Sequence, residues 1–294
     1  MEMGDNGMKV AILGTENSHA FAFAKFINTD PDFSDMEIVG VYGYDDTSNE
    51  RLVKCGYVKR VARNPHEFLG EVDGVLVTAR HGDHHYEYAL PYVKSGASAF
   101  IDKPFTVKLD YARELIAAAE QSGALLCGGS CLKFLRELQP LKAFAAESTL
   151  VGGYVGAPIN MVNDYAGFFF YSQHLLEMML TVFGMDVKAV TALCPDETQN
   201  RVSVIFDYGQ FDVMAQYTSS YGYTITVYSD KECRSVYTHD LGDCFKQELL
   251  EYKAMVLSGQ RPHAYEDLVK PVVILNAIHD SYKTQKTVEV CKYE

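Results

Sequence analysis

The sequence has no apolar run approaching the roughly 18 residues that a membrane-spanning helix needs, so no membrane partner is expected. It has no cluster of lysine and arginine either: 26 basic side chains stand against 39 acidic ones, for a formal net charge of −13. Nucleic-acid binding needs a basic footprint to neutralise phosphates, so no nucleic-acid partner is expected. Paired-cysteine motifs are missing as well. The seven cysteines (55, 127, 131, 194, 233, 244 and 291) are odd in number and scattered, which reads as reduced thiols rather than a disulfide framework. Cys127 and Cys131 have no second pair to complete a zinc site, so no metal is expected. The acidic start Met1-Glu2-Met3-Gly4-Asp5 has no apolar stretch behind it, unlike a signal peptide. A cytoplasmic protein is the expectation.

What is present is a chain of 294 residues, 48% hydrophobic and 22% charged, enough for about two domains with buried cores. In the first part, short continuous apolar runs alternate with helical patterns. Met8–Leu13, Glu37–Tyr42, Val72–Thr78, Ser98–Asp102 and Ala124–Cys127 read as buried parallel strands. His19–Ile27, Arg51–Cys55, His84–Ser95 and Leu109–Ser122 read as helices, with Ser18 placed to cap the first and Gly123 to stop the last. This alternation predicts an α/β fold, a doubly wound parallel sheet of Rossmann type over residues 1–127. The second part, 128–294, has a different texture. After a helix over Lys133–Ala146, the stretches Val187–Leu193, Val202–Phe206, Phe211–Thr218 and Tyr223–Tyr228 alternate apolar and polar residues. That is the pattern of an open-faced antiparallel sheet in an α+β domain. Helices near Phe245–Leu257 and Leu268–Lys283 close the chain, and Pro271 fits the latter only in its opening turn.

The turn after the first strand, Gly14-Thr15-Glu16-Asn17-Ser18-His19, stands where a dinucleotide fold receives pyrophosphate on glycine backbone and a helix N-terminus. Gly14 takes the first glycine position, Glu16 and His19 the second and third, and Thr15, Asn17 and Ser18 offer hydrogen bonds. A carboxylate at position 16 repels phosphate. At the end of the second strand Gly43 replaces the usual ribose-binding acid, and Asp45 comes two residues late. Asp45 is placed either to reach the ribose or to cap the following helix. No arginine stands beside it for a 2′-phosphate, so NAD is expected over NADP. The loop Arg80-His81-Gly82-Asp83-His84-His85 follows the third strand near the expected nicotinamide position. Its spacing does not match His-x-His-x-Asp-His, so Arg80 and His85 read as polar contacts to cofactor or substrate, not as metal ligands.

Four stretches carry a family resemblance: Asp102-Lys103-Pro104 after the strand Ala99-Phe100-Ile101; Val72–Val77 before a histidine-bearing loop; Gln173-His174-Leu175-Leu176-Glu177 ahead of Phe183-Gly184; and Leu275–Ser281 before Val288-Glu289-Val290. Through them the chain resembles the glucose–fructose oxidoreductase/inositol dehydrogenase (Gfo/Idh/MocA) family, whose Glu-Lys-Pro signature is similar to residues 102–104. The resemblance implies a Rossmann domain followed by a domain on an open antiparallel sheet. It also implies oxidation or reduction of a sugar, polyol or related carbonyl with NAD(P). On the same basis Lys103 bonds the reacting oxygen, His174 takes or gives the proton, and His85 matches a histidine after the family's third-strand loop. The division of labour is chemically sound. Histidine suits a base near neutral pH, and an ammonium stabilises a developing alkoxide.

The chain departs from the family pattern at Phe170, where aspartate is usual, and at Glu177, where a shorter aspartate is usual. Three residues from His174 on a helix, Glu177 shares its face and is expected to orient it. Phe168-Phe169-Phe170-Tyr171 reads either as a wall for a sugar ring or as packing, with the Tyr171 hydroxyl available to a ligand. Two other functions stay open. One is a non-redox binding or regulatory relative, given the missing second glycine, ribose acid and aspartate. The other is a relative that uses NAD transiently for elimination or glycoside cleavage. A homodimer or homotetramer is expected through the open sheet face, assigned Tyr217, Tyr223, Thr224, Thr226 and Tyr228; the resemblance implies sheet-on-sheet pairing as well.

Overall fold

The apolar run Met8–Leu13 forms β1, buried at every position but one, and the elements that follow wind around it. They are α1 (Ser18–Thr29), β2 (Met36–Tyr42), α2 (Asp46–Lys54), β3 (Gly74–Val77), α3 (Gly82–Lys94), β4 (Ser98–Asp102), α4 (Leu109–Ser122) and β5 (Leu126–Gly129) in a computed structural model that describes residues 7–290. The Met1–Asp5 start and Cys291 lie outside the described residues. The strands form a five-stranded sheet in the order β2-β1-β3-β4-β5, with β1 to β4 paired in parallel. Chain direction across the sheet reverses between β1 and β3, and such a switch point opens a crevice beyond the strands' carboxyl ends. Both faces are covered, so β3 and β4 are buried throughout and show no alternation. Phe23 of α1 meets Phe100 of β4 edge-on at 5.2 Å in a core that also holds Ile12 and Leu76.

The second unit contains α5 (Leu138–Glu147), β6 (Leu150–Pro158), α6 (Phe169–Phe183), β7 (Ala189–Leu193), β8 (Val202–Asp207), β9 (Asp212–Thr218), β10 (Tyr223–Ser229) and β11 (Cys233–Thr238). The chain then runs through α7 (Cys244–Ser258), α8 (Tyr265–Thr284) and β12 (Val288–Glu289). Its seven-stranded sheet runs β11-β10-β6-β9-β8-β7-β12. It is mixed rather than purely antiparallel, because β6 and β9 pair in parallel. A short 3-10 turn at Cys131–Phe134 precedes α5, which therefore starts later than its sequence pattern suggests. Pro271 lies in the second turn of α8, not the first, because that helix begins at Tyr265.

Two further differences bear on function. The segment Phe245–Tyr265 packs with the first unit, where Leu249, Tyr252 and Met255 join the core around β1, although its place in the sequence assigned it to 128–294. The sheet's polarity is also phased differently from the expectation. Tyr217 and Tyr223 are 0% and 1% exposed, and Tyr217 donates to the Ser172 carbonyl of α6 at 3.0 Å, so both face the helices. The open face carries Ile205 at 43%, Met214 at 57% and Tyr228 at 42% exposure, and Thr224 and Thr226 pair across it with Tyr237 and Ser235. Tyrosine is apolar in body and polar at its tip, so it suits either face when a buried partner receives its hydroxyl. No helix of the described residues is long and apolar enough to cross a membrane.

Candidate active site

In the first unit, the turn after β1 is held by side chains rather than by glycines. Gly14 has a positive φ, and a Cβ there would lie 2.2 Å from the Ala79 nitrogen after β3, so the position serves close strand approach. Its carbonyl accepts the Thr78 hydroxyl at 2.8 Å. Asn17, not Ser18, is the N-cap of α1: its Oδ1 accepts from the His19 backbone N–H, while exposed Ser18 donates to the same oxygen. Thr15 Oγ1 donates to Asn49 Oδ1 at 2.6 Å, and Asn49 Nδ2 donates to the Gly43 carbonyl at 2.8 Å. This latch explains Gly43. A Cβ at 43 would lie 1.9 Å from Thr15 Oγ1, so any side chain there, an acid included, would have to displace Thr15.

Asp45 resolves to one of its two alternatives. It caps α2, taking the Thr47 N–H at 3.1 Å and the Ser48 hydroxyl at 2.5 Å. The Ser48 bond holds its carboxyl below the ordinary range. Glu16 is buried, with Oε1 accepting the Arg80 backbone N–H at 3.0 Å. Burial raises its pKa; its own and Arg80's backbone N–H groups and the charges of His84 and Arg80 pull the other way. A pocket of about 240 Å³ opens beside this turn, lined by Glu16, Ser18, Phe21, Ser48, Arg51 and Arg80. Arg51, which lies over the Phe21 ring at 3.8 Å, was not foreseen as a cation near the site, because it lies well along α2 and no local motif marks it.

At the carboxyl end of β4, fully buried Asp102 organises the same sheet edge. Its Oδ2 accepts Asn17 Nδ2 at 2.8 Å and its Oδ1 the Lys103 backbone N–H at 2.7 Å. The turn after β1 and Lys103 are thus tied through one carboxylate. His19, in the third glycine position, is buried with Nδ1 3.4 Å from Asp102 and Nε2 3.2 Å from Glu248. Burial lowers its pKa, but the two carboxylates outweigh this and the net shift is upward. His85 does not present to a ligand. It is fully enclosed, with Nδ1 at 2.6 Å from the Pro104 carbonyl and Nε2 at 2.7 Å from that of Ala79, so it braces the loop after β3 against the Lys103-Pro104 segment. His81 caps α3 by accepting the Asp83 N–H, and His84 stacks on Tyr88.

In the second unit, His174 lies buried on α6, its Nδ1 2.6 Å from Ser130 Oγ. Glu177 Oε1 accepts from Gln173 Nε2 at 2.9 Å and from the Ser130 backbone N–H at 3.4 Å. Ser130, which sequence reasoning missed, therefore connects the histidine to the glutamate. Tyr171 meets the His174 ring edge-on at 4.5 Å. Of the aromatic run, Phe168 and Phe169 are buried and Phe168 packs on Tyr217 and Tyr282, while Phe170 is partly exposed beside Tyr165.

Residues 8–129 match the family model described as an oxidoreductase family with an NAD-binding Rossmann fold. Inositol 2-dehydrogenase of Paracoccus denitrificans (strain Pd 1222) is 30% identical over 102 residues, 34% of this chain and 29% of that protein. The match thus spans under a third of the relative's length. Two solved structures share the fold over nearly the whole chain. GenD2 from gentamicin A biosynthesis, in complex with NAD, has a TM-score of 0.84 at 17% identity, covering 97% of each chain. Myo-inositol 2-dehydrogenase from Lactobacillus plantarum has a TM-score of 0.85 at 12% identity, covering 97% of this chain and 100% of that one.

Proposed function

We propose that this chain, whose residues 8–129 match an oxidoreductase family model with an NAD-binding Rossmann fold, is a Gfo/Idh/MocA-type NAD-dependent dehydrogenase of sugars, polyols or related hydroxy and carbonyl compounds. The observation that carries this reading is the Asn17–Asp102–Lys103 linkage, which ties the dinucleotide turn to the matching lysine on one sheet edge. The residues present fit the dinucleotide. The N-terminus of α1 and the Arg51 and Arg80 side chains beside the pocket offer positive potential to pyrophosphate. Thr15, Asn17 and Ser18 supply polar contacts, and Ser48 and Arg51 are added to that set. Bound NAD supplies the hydride acceptor.

The chain's own residues handle the proton and the charge. With its hydrogen on Nδ1, the His174 ring donates to Ser130 Oγ and leaves Nε2 as the base for a substrate hydroxyl. Lys103 stabilises the oxygen as it gains alkoxide character. Glu177 positions Ser130, and through it the histidine. A small-molecule substrate, a cytoplasmic location and a homodimer or homotetramer belong to the same reading. The proposed subunit contact is the open sheet face around Ile205, Met214 and Tyr228, whose apolar exposure favours association. Incubating the protein with NAD and a panel of polyols and sugars, while following reduced nicotinamide, tests the activity. Reduction with one class supports it, and none with any member refutes it.

A further inference from the structure

Glu16 is a buried group for which the reaction just described has no task. Its residue is 8% exposed. Oε1 is held by the Arg80 backbone, whereas Oε2 has no hydrogen-bond partner among the described residues. The side chain lines the pocket at the N-terminus of α1, beside the switch point of the sheet. A buried carboxylate oxygen without a donor is costly. A pyrophosphate arriving at the same helix terminus brings further negative charge. An ionised Glu16 and that ligand repel each other. A protonated Glu16 is a hydrogen-bond donor toward a phosphate oxygen, and such a bond to an anion is among the stronger ones.

We propose that Glu16 binds the dinucleotide as the neutral acid, Oε2–H donating to a pyrophosphate oxygen while Oε1 stays on Arg80, so that each NAD bound brings one proton from solvent onto Glu16. This rests on the dehydrogenase reading and adds to it a ligand-dependent proton. The groups around the carboxyl come from three elements. Arg80 follows β3, His84 and Tyr88 belong to α3, and Arg51 reaches the pocket from α2. Burial and the incoming phosphate both favour the neutral form, while the charges of Arg80 and His84 and the backbone donors oppose it. The glutamate in the second glycine position is then compatible with an anion site.

Calorimetric titration of NAD between about pH 6 and about pH 8, each point in two buffers of different ionisation heat, counts the protons taken up. The wild-type affinity should fall by up to about tenfold per pH unit as pH rises, with uptake approaching one proton per NAD on the alkaline side. Glu16→Gln keeps an oxygen for Arg80 and offers an amide N–H to phosphate. It should bind with little pH dependence and no uptake, whereas His84→Gln should retain the uptake. Wild-type binding without proton uptake, or uptake that survives in Glu16→Gln, overturns the proposal and leaves the dehydrogenase reading standing. Failure of both wild type and Glu16→Gln to bind NAD at any pH overturns both.

Discussion

The two sheets dispose of their side chains in opposite ways. In the five-stranded sheet β3 and β4 are buried on both faces, so chemistry collects at the carboxyl edge, where Asn17, Asp102 and Lys103 meet. In the seven-stranded sheet one face packs on helices and the other is open, with β8 and β9 alternating buried and exposed residues. His174 and Ser130 belong to neither sheet face; they are held on α6 and just beyond β5. A parallel sheet between helices offers a ligand only its edge, whereas an open sheet offers a surface. Edge substitutions in the first unit should therefore alter catalysis, and face substitutions in the second should alter folding or assembly.

The largest expected effects are at the two residues proposed to act on the substrate. Lys103→Ala and His174→Ala should each lower kcat by about 100–10,000-fold, with little change in melting temperature in thermal scans. A His174→Ala variant at full rate would remove the proposed base. Next comes the phase of the open sheet. Tyr217→Glu places an unpaired carboxylate in the core and should destabilise by about 3 kcal/mol or more, visible in denaturant unfolding. Met214→Glu on the other face should leave the unit folded and shift the mass in light scattering toward the 32.9 kDa monomer. If both variants unfold, or neither does, the assigned phase is wrong. A smaller effect follows from the Thr15 latch. Gly43→Ala should cost about 1–3 kcal/mol by overpacking against Thr15, and adding Thr15→Gly should recover part of that in a double-mutant cycle. The smallest concerns Ser130→Ala, which removes one hydrogen bond from His174. At about 1 kcal/mol it should lower kcat roughly fivefold with KM nearly unchanged.

The parallel sheet was legible because its strands are continuous apolar runs; Met8–Leu13 and Ser98–Asp102 are matched residue for residue. Lys103 and His174 are proposed only through a resemblance, since one buried lysine and one helical histidine carry no local signal. The phase of the second sheet was misjudged because tyrosine alone does not tell a face. Tyr217 is interior because the Ser172 carbonyl receives its hydroxyl, a pairing 45 positions apart that no pattern announces. Ser130 and Asn49 escaped for the same reason: each acts on a residue 44 or 34 positions away. Gly43 looked like a lost ribose acid. The structure gives it a steric cause in Thr15, and it leaves Asp45 as a cap.

One sheet edge is proposed to hold NAD and to present Lys103 to the oxidised oxygen. The most direct test is single-turnover formation of reduced nicotinamide by wild-type protein, Lys103→Ala and His174→Ala, each mixed with NAD and the best polyol or sugar of a panel. Reduced nicotinamide should form in the wild type, and form about two decades or more slower in both variants while NAD binding persists. A wild type that binds NAD yet reduces none of it with any polyol or sugar, or a Lys103→Ala variant that reduces it at the wild-type rate, would contradict the proposal.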